Sequence, residues 1–194
     1  MGSIYCIMGK SSTGKDTIFK LLLDRSDLNL KRIVSYTTRP IRSHEKPGDE
    51  YNFVTISQKD KLLEEGKVIE IREYNTVHGP WFYFTVDDGS VDLEHNDYLI
   101  IGTVESFVKI REYYGEEAVI PIYIEVDDGV RLTRALEREK SQEHPKYEEL
   151  CRRFLADQQD FSEENLKAAR ITNVFHNNDD SSVTCDRIAG FIKS

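Results

Sequence analysis

The sequence predicts a three-layer α/β fold: a parallel sheet between helices, with a strand-rich lobe inserted into it and a helical lid. Short apolar runs of strand length alternate with segments of helical period at both ends of the chain. Between them, residues 36–85 carry a denser set of strand signals. A glycine-rich loop joins the first apolar run to the first helical segment. Repeated strand and helix units imply parallel pairing with right-handed crossovers, and in such sheets ligands bind beyond the carboxyl ends of the strands.

Taken in order, "SIYCIM" is the first strand and "KDTIFKLLLDR" the first helix, with Ile18, Leu21 and Leu22 on helical spacing. "RIVSY" reads as one short strand. The polar "TTRPIRSHEKPGDE", with two prolines and a glycine, reads as a loop. "YNFVT" is a strand, and "SQKDKLLEEG" is a helix with Ser57 as its N-cap and Gly66 past its end. "KVIEIREY" and the aromatic "GPWFYFTV" follow as strands. Alternation then resumes with strand "DYLIIGT", helix "VESFVKIREYYG", strand "AVIPIYIEV" and helix "DDGVRLTRALEREK". The third of these segments is nearly continuous in apolar and β-branched residues, as expected of a strand buried on both faces. An arginine-bearing polar stretch from Arg138 to Arg153 is the expected lid, and "ITNVFHNN" and "SSVTCDRIAGFIK" supply a last strand and a closing helix. The expected organisation is one domain over residues 1–194, with a core of 1–35 and 86–194, a strand-rich lobe of 36–85 and a lid at about 138–153.

Composition narrows the function. With 194 residues, 39% hydrophobic and 31% charged, the chain matches an ordinary soluble domain and has no apolar run of membrane-spanning length. A formal charge of −9 argues against a nucleic-acid polymer as partner, because phosphate backbones are gripped by clustered Lys and Arg. The N-terminus lacks the pattern of a cleavable signal and runs directly into the glycine loop, so a cytoplasmic location is expected. Cys6, Cys151 and Cys185 are odd in number and lack metal-like spacing, so buried or inert thiols are expected rather than a disulfide framework. Oligomeric state is not legible at this level.

The sharpest local signal is "GKSSTGKDT". Gly9, Gly14 and Lys15 match GxxxxGK[ST] between a strand and a helix, the context that gives the pattern its meaning. Glycines let successive N–H groups of Ser11, Ser12, Thr13 and Gly14 curl around phosphate oxygens, and the helix N-terminus adds partial positive charge. Lys15 is placed to reach the β- and γ-phosphates of a nucleoside triphosphate. Asp16 stands where a Ser or Thr normally meets Mg²⁺. Two explanations stay open. An aspartate suits the first turn of a helix, by about 0.3–1 kcal/mol, while Thr17 still offers a hydroxyl. Alternatively, the carboxylate orients hydrated Mg²⁺, so the metal-binding candidates are Asp16 or Thr17, acting through water.

A second constellation is "SYTTRPIRSHEKPGDEYNFV", with Glu70 beyond it. Arg39 and Arg42 lie in a loop, where paired guanidinium forks and the Tyr51 hydroxyl suit a phosphate monoester. Glu70 sits in the apolar run "VIEI" and needs donors if buried. Guanine offers two on one edge and adenine does not, a difference of about 1–3 kcal/mol. An outward-facing Glu on a half-exposed strand fits the same segment equally well.

In sequence, "GKSSTGKDT" followed by "SYTTRPIR…GDEYNFV", "VIE" and "HG" resembles the guanylate kinase family, and the order of elements is similar from residue 3 onward. The resemblance implies the P-loop NTPase fold, with the inserted lobe binding a nucleoside monophosphate. It also implies ATP with Mg²⁺ on the glycine loop and phosphoryl transfer to GMP or dGMP. Ser35 and Glu70 match residues that read the base, and Arg39, Arg42 and Tyr51 match residues that hold its phosphate. Arg134, Arg138 and Arg153 match arginines that close over the phosphates, and Asn177 an asparagine beside adenine. The chain departs from the family at two places. His78, Gly79 and Pro80 replace a Tyr-Gly-Ser/Thr run, and Thr103, Glu105 and Ser106 stand where an aspartate and a Gln-Gly pair are usual. The Gly-Lys-Asp of the loop and "HNND" are also similar to ribose 1,5-bisphosphate kinases. Two alternatives therefore stand beside the first reading: a sugar-phosphate kinase, and a non-catalytic module of guanylate-kinase type.

Overall fold

The computed structural model describes residues 1–42, 45–76 and 79–194. The chain opens with β1 (Ile4–Met8), α1 (Lys15–Leu23) and β2 (Lys31–Arg32). It continues through β3 (Tyr36–Thr37), β4 (Asn52–Phe53), α2 (Ile56–Glu64), β5 (Val68–Thr76) and β6 (Gly79–Val86). Then come β7 (Tyr98–Ile101), α3 (Val104–Tyr114), β8 (Val119–Glu125), α4 (Asp128–Lys140) and α5 (Tyr147–Asp160). It closes with α6 (Glu163–Ala168), β9 (Val174–His176) and α7 (Ser181–Ile192).

Five strands form a parallel sheet in the order β2-β7-β1-β8-β9. β1 is central and buried along its whole length, so its alternating side chains feed both layers of the core. Ile4, Cys6 and Met8 pack with Phe107 and Ile110 of α3. Tyr5 and Ile7 pack with Ile18 and Leu22 of α1 and with Ile188 and Ala189 of α7. Burial pushes the Cys6 thiol up to about 12, and Cys185 is buried too, so both are inert fillers of the core. Of the thiols expected to be buried or inert, Cys151 is the exposed one; it lies on α5, a helix with no buried residue of its own. Among the described residues, no helix is long and apolar enough to cross a membrane.

The expected strand "RIVSY" is divided between two sheets. Lys31 and Arg32 pair with β7, whereas Tyr36 and Thr37 pair with Phe84 and Tyr83 of β6. Residues 33–35 bridge the two, with Ile33 N–H donating to Leu99 O and Ser35 O accepting from Asn52 N–H. The second sheet has four strands in the order β4-β3-β6-β5. Its long hairpin pairs Glu70 with Thr85, Arg72 with Tyr83 and Tyr74 with Trp81. Side chains two residues apart on a strand share a face, so Glu70, Arg72 and Tyr74 point the same way.

The cap of α2 corrects the expected Ser57 to Thr55. Thr55 Oγ1 accepts from Gln58 N–H at 3.2 Å and Gln58 Oε1 accepts from Thr55 N–H at 2.8 Å, a reciprocal capping box. Thr55 has a glutamine three residues on and Ser57 does not, and that side chain decides the start. α5 runs on to Asp160, beyond the expected lid boundary at Arg153, and α6 has no counterpart among the expected elements.

Phe107 is fully buried against β1. Phe107→Ala is expected to cost about 3–5 kcal/mol, read as a lower urea midpoint with an unchanged slope.

Candidate active site

The glycine loop leaves β1 under tight steric limits. A Cβ on Gly9 would lie 2.7 Å from Ile124 O and 2.8 Å from Thr13 Oγ1. Gly14 has φ +82°, and a Cβ there would lie 2.6 Å from Asn177 Nδ2, so both conformation and space demand glycine. Asn177 is buried behind the loop, where its Nδ2 donates to Thr13 O at 2.8 Å. Its side chain therefore braces the loop from the rear. Ser12 has φ +65°, and its Oγ is buried without a hydrogen-bond partner among the described residues. Two of the expected cradle amides are engaged within the protein, Ser11 N–H on Asp157 and Thr13 N–H on Lys10 O at 3.4 Å, which leaves the orphaned Ser12 hydroxyl at the head of α1 as a fit for phosphate oxygens.

α4 and α5 lie over this loop through Arg131, which is 1% exposed. Its Nη1 donates to Ser11 O at 3.1 Å and reaches Asp157 Oδ2 at 3.4 Å; Nε and Nη2 donate to Asp128 Oδ1 at 3.1 and 2.9 Å. The guanidinium also sits 4.7 Å from the Phe154 ring centroid. Asp157 in turn accepts from Ser11 N–H at 2.7 Å. Neither residue is among those expected from sequence. For Arg131 the signal is a charge on the buried face of a helix, since Arg131 and Ala135 are the buried positions of α4; Asp157 lies on α5, which has no buried residue to mark a face.

A cavity of about 860 Å³ opens between loop, lobe and lid. Ser11 and Ser12 line it from the loop, Arg42 and Trp81 from the lobe, and Arg138 and Arg153 from the lid. Arg153 Nη2 donates to Ser11 Oγ at 3.2 Å. Arg134 is elsewhere: it donates to Asn177 O at 3.0 Å and Asn178 O at 2.9 Å, fixing the turn into α7.

On the other side of the loop is a second cavity, of about 760 Å³, lined among others by Lys15, Asp16, Ser35, Tyr51, Arg72 and Thr103. Burial raises the Tyr51 phenol and keeps it protonated. Thr103 caps α3 by accepting from Ser106 N–H at 3.2 Å, so its hydroxyl is committed to the helix. Arg39, expected on a phosphate, is 3% exposed and forked onto Glu45 at 2.8 and 3.0 Å, with Nε donating to Tyr83 Oη at 3.1 Å. Glu45 also accepts from Arg42 N–H at 2.8 Å. Arg39 thus shapes the arginine loop, and Arg42 is the one that faces the first cavity. Glu70 is buried, which decides against the outward-facing alternative. Its donors come from the protein: Thr85 Oγ1 at 2.7 Å, Arg72 Nε at 3.0 Å and Arg72 Nη2 at 3.3 Å. Gly79 begins β6 at φ +95°. His78 lies outside the described residues.

The Asp16 side chain is 73% exposed beside Lys15, its Oδ2 3.4 Å from Lys15 Nζ, and Thr17 is exposed one residue on. Among the described residues, no group of three or more His, Cys, Asp or Glu could hold a metal ion. A Mg²⁺ that keeps most of its water and takes phosphate oxygens plus one protein oxygen fits such a site.

Residues 1–82 match the family model described as Guanylate kinase. A guanylate kinase of Thermotoga maritima is 33% identical over 124 residues, covering 64% of this chain and 49% of that protein. One from Fusobacterium nucleatum is 28% identical over 132 residues, covering 68% of this chain and 57% of that protein. One from Malacoplasma penetrans is 40% identical over 73 residues, 38% of this chain and 37% of that protein. The chain therefore spans between about a third and somewhat over half of the length of these curated relatives. The crystal structure of guanylate kinase from Anaplasma phagocytophilum superposes with a TM-score of 0.68 at 25% identity, covering 99% of this chain and 85% of that one. The shared architecture is the P-loop NTPase fold.

Arg131→Met leaves Asp157 without its buried cation; it is expected to cost about 3 kcal/mol and to weaken binding of a non-hydrolysable ATP analogue, measured by denaturation and calorimetry. Arg39 holds the Glu45 carboxyl below the usual carboxylate range. A lowered folded-state value stabilises above the unfolded value of about 4.3 and is lost as pH falls through the folded one. Thermal midpoints between pH 7 and pH 3 should therefore fall less steeply in Glu45→Gln than in the parent.

Proposed function

We propose that this chain is a member of the guanylate kinase family that transfers the γ-phosphoryl group of ATP to a nucleoside monophosphate, with GMP or dGMP as acceptor, a reading supported by the match of residues 1–82 and the likeness to a solved guanylate kinase. One observation carries the reading. The glycine loop contributes to two cavities at once, Ser11 and Ser12 to the lid side and Lys15 and Asp16 to the lobe side. A single loop so placed can hold a donor phosphate chain while an acceptor approaches along the lobe.

Phosphoryl transfer between phosphates depends mainly on position and charge neutralisation. The loop amides and the α1 N-terminus receive the donor phosphates, with Lys15 at the transferred group. Arg42 from the lobe and Arg138 and Arg153 from the lid converge on the same cavity and supply positive charge where the transition state spreads negative charge. Ser35 and Tyr51 line the acceptor side. Mg²⁺ bound with ATP would neutralise phosphate charge, and Asp16 or Thr17 is the protein group within reach of its water shell. The acceptor phosphate is already anionic, so the mechanism needs no histidine base.

Lys15→Ala is expected to lower kcat by about a hundredfold or more while leaving GMP affinity within a factor of about two. ADP release measured with GMP, dGMP, AMP, CMP, UMP and ribose 1,5-bisphosphate tests the acceptor; turnover of the sugar bisphosphate alone would refute this assignment.

A further inference from the structure

Among the side chains of the acceptor cavity, Arg72 has no role in the reading above. It lies on β5 two residues beyond Glu70, on the same face, opposite Tyr83. Its side chain is 14% exposed and lines the cavity. The Glu70 side chain is 2% exposed and does not line it.

A guanidinium carries five N–H donors in a fixed plane. Here Nε and one N–H of Nη2 are spent on Glu70. Nη1 makes no hydrogen bond among the described residues, so the outer edge of the fork, Nη1 with the remaining N–H of Nη2, is available to the cavity. Glu70 is nearly saturated. Two of its donors come from Arg72 and one from Thr85, against about four lone-pair sites on a carboxylate. The cavity wall at this point therefore presents paired donors and no open carboxylate.

We propose that Arg72 is the base-selecting residue of the acceptor site, held in plane by Glu70, and that it reads the O6 and N7 acceptors of a 6-oxopurine nucleotide. This rests on the phosphoryl-transfer reading and names its acceptor class. An arginine fork matches the O6/N7 edge of guanine in spacing and in donor–acceptor sense. Adenine keeps the N7 acceptor but places an amino donor where O6 would be, which leaves that amino group and the guanidinium N–H facing it unpaired. The 2-amino group of guanine plays no part in this contact, so hypoxanthine satisfies Arg72 as well as guanine does. Tyr51 and Tyr83, which pack edge to face at 5.5 Å between centroids, give the base ring an apolar wall beside the fork.

The test is kcat/KM for GMP, IMP, AMP and ribose 1,5-bisphosphate in the parent and in Arg72→Lys, which keeps the charge beside Glu70 but loses the fork. GMP and IMP are expected to agree within about tenfold, with AMP poorer by about tenfold to a hundredfold. Arg72→Lys should lower GMP and IMP by a common factor of about ten or more and AMP by less, so that the preference for GMP over AMP narrows while affinity for a non-hydrolysable ATP analogue holds. If Arg72→Lys does not fold, the double variant Glu70→Gln/Arg72→Met, which leaves no unpaired buried charge, makes the same comparison. IMP a hundredfold worse than GMP, with discrimination intact in the variant, would overturn the role of Arg72 while leaving phosphoryl transfer to GMP standing. Turnover confined to the sugar bisphosphate would overturn both.

Discussion

The structure turns on the buried guanidinium of Arg131. It joins the carbonyl of Ser11 in the glycine loop to Asp157 of α5 and to the half-exposed Asp128 of α4, and the guanidinium itself is 1% exposed. A charge so buried is tolerated only when its donors are matched, so the loop, α4 and α5 are held in one arrangement. Arg138 and Arg153 reach the first cavity because the helices that carry them are fixed by this contact. The braces behind the loop, Asn177 on Thr13 O and Arg134 on the following turn, complete the same mounting from the other side.

Paired and unpaired arginines divide the work. The chain carries a formal charge of −9, an unpromising total for the phosphate-binding site proposed. The acidic residues near the site act locally, however. Glu45 holds Arg39, Asp157 and Asp128 hold Arg131, and Glu70 holds Arg72. The paired cations shape walls and loops, while Arg42, Arg138 and Arg153 line the first cavity. Net charge governs long-range behaviour, but field at a small site depends on which charges are neutralised within a few ångströms.

Residues 33–35 show how backbone topology feeds this arrangement. There the chain leaves the parallel sheet and enters the lobe, so Ser35 lies at the junction and on the second cavity. The lobe hairpin then carries Glu70 and Arg72 on one face, and the strand period of two decides that they meet. Their contact is strong because Glu70 is buried, Arg72 is largely so, and the fork is planar.

Much of the fold was legible because its signals are local. The apolar runs of β1 and β8, the glycine loop and the first and last helices follow from periodicity and turn chemistry. The cap at Thr55 was legible in principle, since the Thr-x-x-Gln pattern is contiguous. The division of "RIVSY" was not, because strand propensity does not say which sheet a strand joins. For the site, the sequence alone determined which chemical groups are present: the glycines and Lys15 of a phosphate cradle, a cluster of arginines and a carboxylate in an apolar strand. Only the tertiary structure decided which of those groups remain available. Arg39, Glu70 and Arg134 are engaged by Glu45, by Arg72 with Thr85, and by the turn at residues 177–178, whereas Arg42 and Arg72 face cavities. Availability depends on partners distant in sequence, and a hydrogen bond to Asn177 from Arg134, 43 residues away, leaves no trace in local pattern.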